Sequence, residues 1–118
     1  MVSGPKLDEV WLAALDPAQG SEIRKTRPCL VVSPDEMNEF LRTVIVAPMT
    51  TVERAWPTRV AIAFQGKRGQ VALDQILAVD QARLVRRLGK APNKTGQSVS
   101  RALIEMFERK LDPPRDAS

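Results

Sequence analysis

Residues 27–49 read RPCLVVSPDEMNEFLRTVIVAPM, two apolar runs of strand length on either side of a short polar segment. Pro28 biases the residue before it, Arg27, toward an extended conformation. Cys29, Leu30, Val31 and Val32 follow as a buried-strand pattern, so a strand is expected over 27–33. Ser33, Pro34, Asp35 and Glu36 then have the form of a capping box: serine at the N-cap, proline at the first helical position, glutamate three residues after the cap. That predicts a short helix from residue 34 to about 41. Residues 43–49 are heavily apolar and are expected to form a central strand until Pro48 interrupts its ladder.

Working outward, residues 10–15 (VWLAAL) read as a first strand, with Trp11 in the core, ended by Asp16 and Pro17. Residues 50–57 (TTVERAWP) read as a loop, 59–64 (RVAIAF) as a strand, and 65–69 (QGKRG) as a turn. Residues 70–79 (QVALDQILAV) are expected as strand with a break near Asp74, and 84–89 as a last short strand. From 96 to 111 the pattern turns helical. Val99, Ala102, Leu103, Met106, Phe107 and Leu111 make one apolar stripe, while Glu105 and Arg109 can pair at i,i+4. Five or six short strands with one small internal helix and one terminal helix place the chain in the α+β class, as a small antiparallel barrel with helical cover. The apolar strands are too many for a helix bundle, and the connections too short for parallel βαβ units.

The 118 residues are expected to form a single domain over 1–118, its tail frayed from about 112. No apolar run approaches the roughly 18 residues of a membrane span. The N-terminal MVSGPKLDEV has no charged-then-apolar signal pattern, and Cys29 stands alone, so a cytoplasmic, reducing location is expected. The absences narrow the chemistry. With no histidine, no tyrosine and one cysteine, neither histidine acid–base catalysis nor a cysteine-based zinc site within one chain is available. The net charge is +4 and the pI about 9.7, a moderate indication of a polyanionic partner.

Three places hold candidate chemistry. The stretch GSEIRKTR, residues 20–27, gathers Glu22, Arg24, Lys25, Thr26 and Arg27. Arg24 and Lys25 read equally as a solvated loop, but Arg27 is held by Pro28 and the strand. Its planar fork of donors suits a phosphate, and the permanent charge of a guanidinium makes charge stabilisation its natural role. The second place is PMTT, residues 48–51, where the Thr50 hydroxyl and backbone amides at a strand end make a phosphate seat or an ordinary turn. Arg54, Trp56 and Arg59 follow, and Trp56 is placed either to stack on a base or to serve the fold. In ALDQ, residues 72–75, Asp74 and Gln75 interrupt a strand, with structural roles weighed ahead of catalysis. Cys29 lies in an apolar run with no base to activate it and reads as core.

In this order, LDPAQGSEIRKTRPCLVVSP, TVIVAPMTT and GQVALDQILAVDQARLVRRLG resemble the MazF/PemK family of toxins from bacterial toxin–antitoxin pairs. The resemblance implies a homodimer of SH3-like barrels with appended helices, of the CcdB/PemK kind. It implies cleavage of single-stranded RNA (mRNA) at a short preferred sequence without metal or other cofactor, and inhibition by a cognate, MazE-like antitoxin. Carried over residue by residue, Arg27 and Thr50 match the family's catalytic arginine and threonine, and Glu22 a loop acid implicated in activity. Arg24, Lys25, Thr51, Arg54, Trp56, Asp74 and Gln75 are then expected on the RNA. Two departures stand out: Ala72 replaces an arginine that PemK-type members pair with the acid at Asp74, and Ser21 stands where they have histidine. Rival readings are a CcdB-like gyrase poison, although both tryptophans lie far from the C-terminus, and an RNA-binding barrel without catalysis.

Overall fold

A computed structural model describes residues 4–15 and 26–111. The strands are β1 (Glu9–Ala14), β2 (Thr26–Val31), β3 (Thr43–Thr50), β4 (Arg59–Phe64), β5 (Lys67–Ala72), β6 (Leu77–Asp80) and β7 (Leu84–Lys90). Helix α1 (Asp35–Phe40) joins β2 to β3, and α2 (Asn93–Phe107) follows β7. The strands pair antiparallel in the order β4-β5-β3-β2-β1-β7, with β6 also on β3. The α+β reading holds: the sheet curls around β3, which pairs with β2, β5 and β6.

β2 and β3 are buried on both faces, which explains their near-continuous apolar sequences. Leu30 and Ala47 face one cluster, shared with Ile62, Val71 and Leu73 and covered by Val99 and Ala102 of α2. Cys29, Val31, Val44 and Val46 face a second cluster, where Trp11 packs at the margin. Within the first turns of α2, the Asp8 carboxylate lies over Gly96, where a β-carbon would meet Asp8 Cγ at 2.8 Å. Burial there pushes the Asp8 carboxyl pKa up, with Lys90 opposing. Among the described residues, no helix is long and apolar enough to cross a membrane.

Five sequence expectations change. Among the described residues seven strands form rather than five or six, because the break near Asp74 is a 3₁₀ turn (Leu73–Gln75) that separates β5 from β6. The turn after β4 is only Gln65 and Gly66, both at positive φ (50° and 77°) as a tight primed turn demands, so residues 67–69 belong to β5. β3 runs through Pro48 to Thr50. It pairs with β6 through Val46 and with β5 from Met49, and Pro48 falls in the gap, where its missing N–H costs no ladder bond. Helix α2 starts at Asn93 and ends at Phe107, so Arg109 and Leu111 lie beyond it and the expected Glu105–Arg109 pairing has no helical frame.

The capping box does not form. Pro34 is the N-cap of α1, without a side-chain cap bond. Ser33 is instead buried beside β3, where its Oγ accepts from Ile45 N (3.0 Å) and donates to Asn38 Oδ1 (2.6 Å). Asn38, also buried, donates to Pro5 O and Ser33 O. Ser33→Ala leaves a buried donor and a buried acceptor unmatched, at a cost of about 1–3 kcal/mol. The expected result is a lower urea midpoint with an unchanged m-value; an unchanged midpoint would mean that water replaces the hydroxyl.

Candidate functional site

β2 and β3 carry the centre of the site. Cys29 stands opposite Pro48, and Arg27 and Thr50, each two residues further along its strand, line the same two hollows. Arg27 is exposed, and among the described residues its guanidinium makes no hydrogen bond or ion pair. The Thr50 hydroxyl oxygen accepts from Val52 N (3.0 Å), which fixes the side chain and leaves its O–H available to donate. The backbone of Thr50 lies hard against β5: a β-carbon on Gly69 would stand 2.6 Å from Thr50 O. Cys29, behind Arg27, is fully buried, and burial pushes its thiol up to about 12. It is a core residue, as its apolar run suggested.

The loop after β3 is pinned from both sides. Arg54 N donates to Gln70 Oε1 and Gln70 Nε2 donates to Arg54 O, each at 3.0 Å. Trp56 is about half exposed, with the Arg59 guanidinium 4.7 Å and that of Arg54 5.7 Å from its ring centroid. Arg59 opens β4, directly opposite Ala72 on β5. Its side chain is 6% exposed and grips Asp74 with two bonds, Nε to Oδ1 at 2.7 Å and Nη2 to Oδ2 at 3.3 Å. Thr58 Oγ1 donates to the same carboxylate. The arginine absent at position 72 is thus matched in space by one from the neighbouring strand.

The Arg59 hydrogen bonds hold the Asp74 carboxyl below the usual carboxylate range. A lowered folded pKa contributes stability above the unfolded value, about 3.9, which is lost as pH falls through the folded one. Asp74→Asn is therefore expected to flatten the stability loss below about pH 4, read from urea midpoints at pH 7 and pH 3. An acid limb as steep as that of the wild type would detach Asp74 from it.

Two hollows flank the Arg27–Thr50 ridge. One, of about 380 Å³, adds Thr51, Phe64, Lys67 and Arg68 to its walls. The other, of about 220 Å³, adds Arg54, Arg59 and Gln75. Arg27, Thr50 and Val52 line both, and among the described residues no carboxylate lines either. Of the residues singled out in the sequence, Arg27, Thr50, Thr51, Arg54 and Gln75 thus meet around one ridge, while Trp56 and Asp74 are held by Arg59 beside it. Glu22, Arg24 and Lys25 lie outside the described residues. Lys67 and Arg68 were missed because the run QGKRG reads as turn; a basic pair next to Gly69 was the available signal. Among the described residues, no cluster of three or more Cys, Asp or Glu side chains is placed to hold a metal ion.

A model of the PemK-like, MazF-like toxins of type II toxin–antitoxin systems matches residues 6–107. The chain belongs to that family. This PemK/MazF-like chain is 36% identical over 90 residues to the endoribonuclease PemK of Escherichia coli, covering 71% of the chain and 68% of the relative. It is 35% identical over 101 residues to the endoribonuclease MazF of Staphylococcus saprophyticus, covering 80% and 84%. Its fold is similar to a MazF solved with MazE from Deinococcus radiodurans, with TM-score 0.77, 25% identity, and 90% and 97% of the two chains covered. The curled antiparallel sheet with a C-terminal helix is therefore the PemK/MazF-like architecture.

Proposed function

We propose that this PemK/MazF-like chain is a metal-independent endoribonuclease toxin that cuts single-stranded RNA (mRNA) at a preferred sequence. The observation that carries the reading is the ridge itself: an arginine without a hydrogen bond or ion pair among the described residues, beside a fixed threonine, between two hollows that five cations and, among the described residues, no carboxylate line. Such a site suits a polyanion whose phosphate rests on the ridge. The 2′-hydroxyl oxygen of the substrate attacks the adjacent phosphorus, and the P–O5′ bond breaks. The products are a 2′,3′-cyclic phosphate and a 5′-hydroxyl. Arg27 stabilises the charge of the pentavalent phosphate and also protonates the departing O5′, and Thr50 donates to a phosphate oxygen. Glu22, assigned by family resemblance alone, accepts the 2′ proton. The nucleophile belongs to the substrate, which is how a chain without histidine carries out the reaction.

Arg24, Lys25, Arg54 and Gln75 supply further RNA contacts, and Trp56, with Arg59 on its ring, offers a stacking face. Asp74 contributes by holding Arg59. The curled sheet is read as an SH3-like barrel of the CcdB/PemK kind, acting as a homodimer in the cytoplasm and neutralised by a cognate MazE-like antitoxin. The MazE–MazF relative supports that partner.

Purified chain incubated with a long single-stranded RNA in excess EDTA tests the activity. Fragments with cyclic phosphate ends are expected. Strict dependence on added magnesium would overturn the metal-independent reading, and intact RNA would favour the gyrase-poison or purely binding alternatives.

A further inference from the structure

The larger hollow is not explained by chemistry at the ridge. Its floor is apolar, made by Met49, Ile62, Phe64 and Leu88, and its rim carries Gln65, Lys67 and Arg68. Lys67 and Arg68 are exposed, and among the described residues neither makes a hydrogen bond or ion pair. Gln65 Nε2 donates to Leu88 O (3.1 Å), while its carbonyl oxygen has no partner among the described residues. At about 380 Å³ the hollow falls within the range of roughly 300–1,000 Å³ typical of small-molecule sites, with the apolar floor and few polar groups such sites share. An apolar floor that includes an aromatic ring, rimmed by cations and, among the described residues, by no carboxylate, suits a nucleobase joined to phosphate.

We infer that this hollow is a nucleotide subsite: it takes the base next to the cut bond, and Lys67 and Arg68 hold the following phosphate. The inference rests on the nuclease reading and deepens it. Continuity decides the occupant. Arg27 and Thr50 form one wall of the hollow, so an RNA strand with its phosphate on the ridge delivers a neighbouring nucleotide directly into it. The β4–β5 hairpin, absent from the sequence-based site, then takes part in choosing where the RNA is cut.

The wild-type chain is first used to map a cut site on unmodified RNA. A 2′-O-methyl copy of that site, with 4-thiouridine stepped through the positions on each side, is then photo-crosslinked and the modified peptides identified. Crosslinks from one position beside the cut bond to residues 62–69 are expected. The double variant Lys67→Glu/Arg68→Glu is expected to raise KM for RNA tenfold or more. The logarithmic salt slope of binding should become shallower by about 1.4, as for two phosphate contacts on a single strand. Crosslinks confined to Arg54, Trp56 and Gln75, or an unchanged KM and salt slope in the folded double variant, would overturn the subsite while leaving the nuclease intact. Failure of the wild type to cut RNA would overturn both.

Discussion

Replacing Arg27 with alanine lowers the rate of RNA cleavage by about 10²-fold or more, the scale expected when one preorganised donor to a developing oxyanion is removed. The fold survives the change. Arg27 is an exposed residue on β2 with no ion pair or hydrogen bond among the described residues, and Cys29 and Leu30 beside it carry the burial. Lysine is the sharper variant, because it keeps the charge and loses the planar fork. Arg27→Lys is expected to bind RNA nearly as the wild type does and still to cleave poorly. Single-turnover rates on one RNA, beside affinities for its 2′-O-methyl copy, separate the two effects. Near wild-type cleavage by a folded Arg27→Ala would remove Arg27 from the mechanism.

The second large effect is expected at Gly69, which touches no substrate in the proposed reaction. A β-carbon there would stand 2.6 Å from Thr50 O, with the rest of the Thr50–Thr51 backbone close behind. The obstacle is backbone rather than a flexible side chain, so the end of β3 must move. Gly69→Ala is expected to cost about 1–3 kcal/mol by overpacking. It should also slow cleavage by about tenfold or more, since displacement of about 1 Å at a positioned group costs up to about 10²-fold. The diagnostic readout is where the loss falls. A displaced Thr50 lowers kcat, whereas a merely less stable protein, assayed well below its melting temperature, keeps kcat. Unchanged kcat alongside the stability loss would make Gly69 a folding residue only.

The sequence announced its strands better than its caps. The runs over β2 and β3 were legible because both faces of these strands are buried, so nearly every residue is apolar. The break at Asp74 was visible because a carboxylate inside an apolar run has few ways to be satisfied. Its partner was not visible. Arg59 meets Asp74 only because β4 lies beside β5 with Arg59 opposite Ala72, a relation set by pairing across strands. The same limit hid the role of Ser33, whose signature of a helix cap competes with a buried backbone donor on β3 that only the folded chain reveals. Pro48 looked like a stop because its missing N–H matters inside a ladder, and the gap between β6 and β5 removes that demand. For the site, Arg27 and Thr50 were legible as loop–strand junctions. The basic rim at Lys67 and Arg68 was not, because a two-residue primed turn carries β5 further than the glycines suggest.

In the proposed reaction the chain supplies charge stabilisation at Arg27 and Thr50 while the substrate supplies the nucleophile. A single 2′-deoxy substitution at the mapped cut site, in an otherwise ribose RNA and in excess EDTA, tests it most directly. Cutting at that position is expected to disappear, while the unsubstituted RNA is cut there to give a 2′,3′-cyclic phosphate and a 5′-hydroxyl. Cutting that persists at the 2′-deoxy position, or fragments that carry a 5′-phosphate, would contradict the proposed reaction.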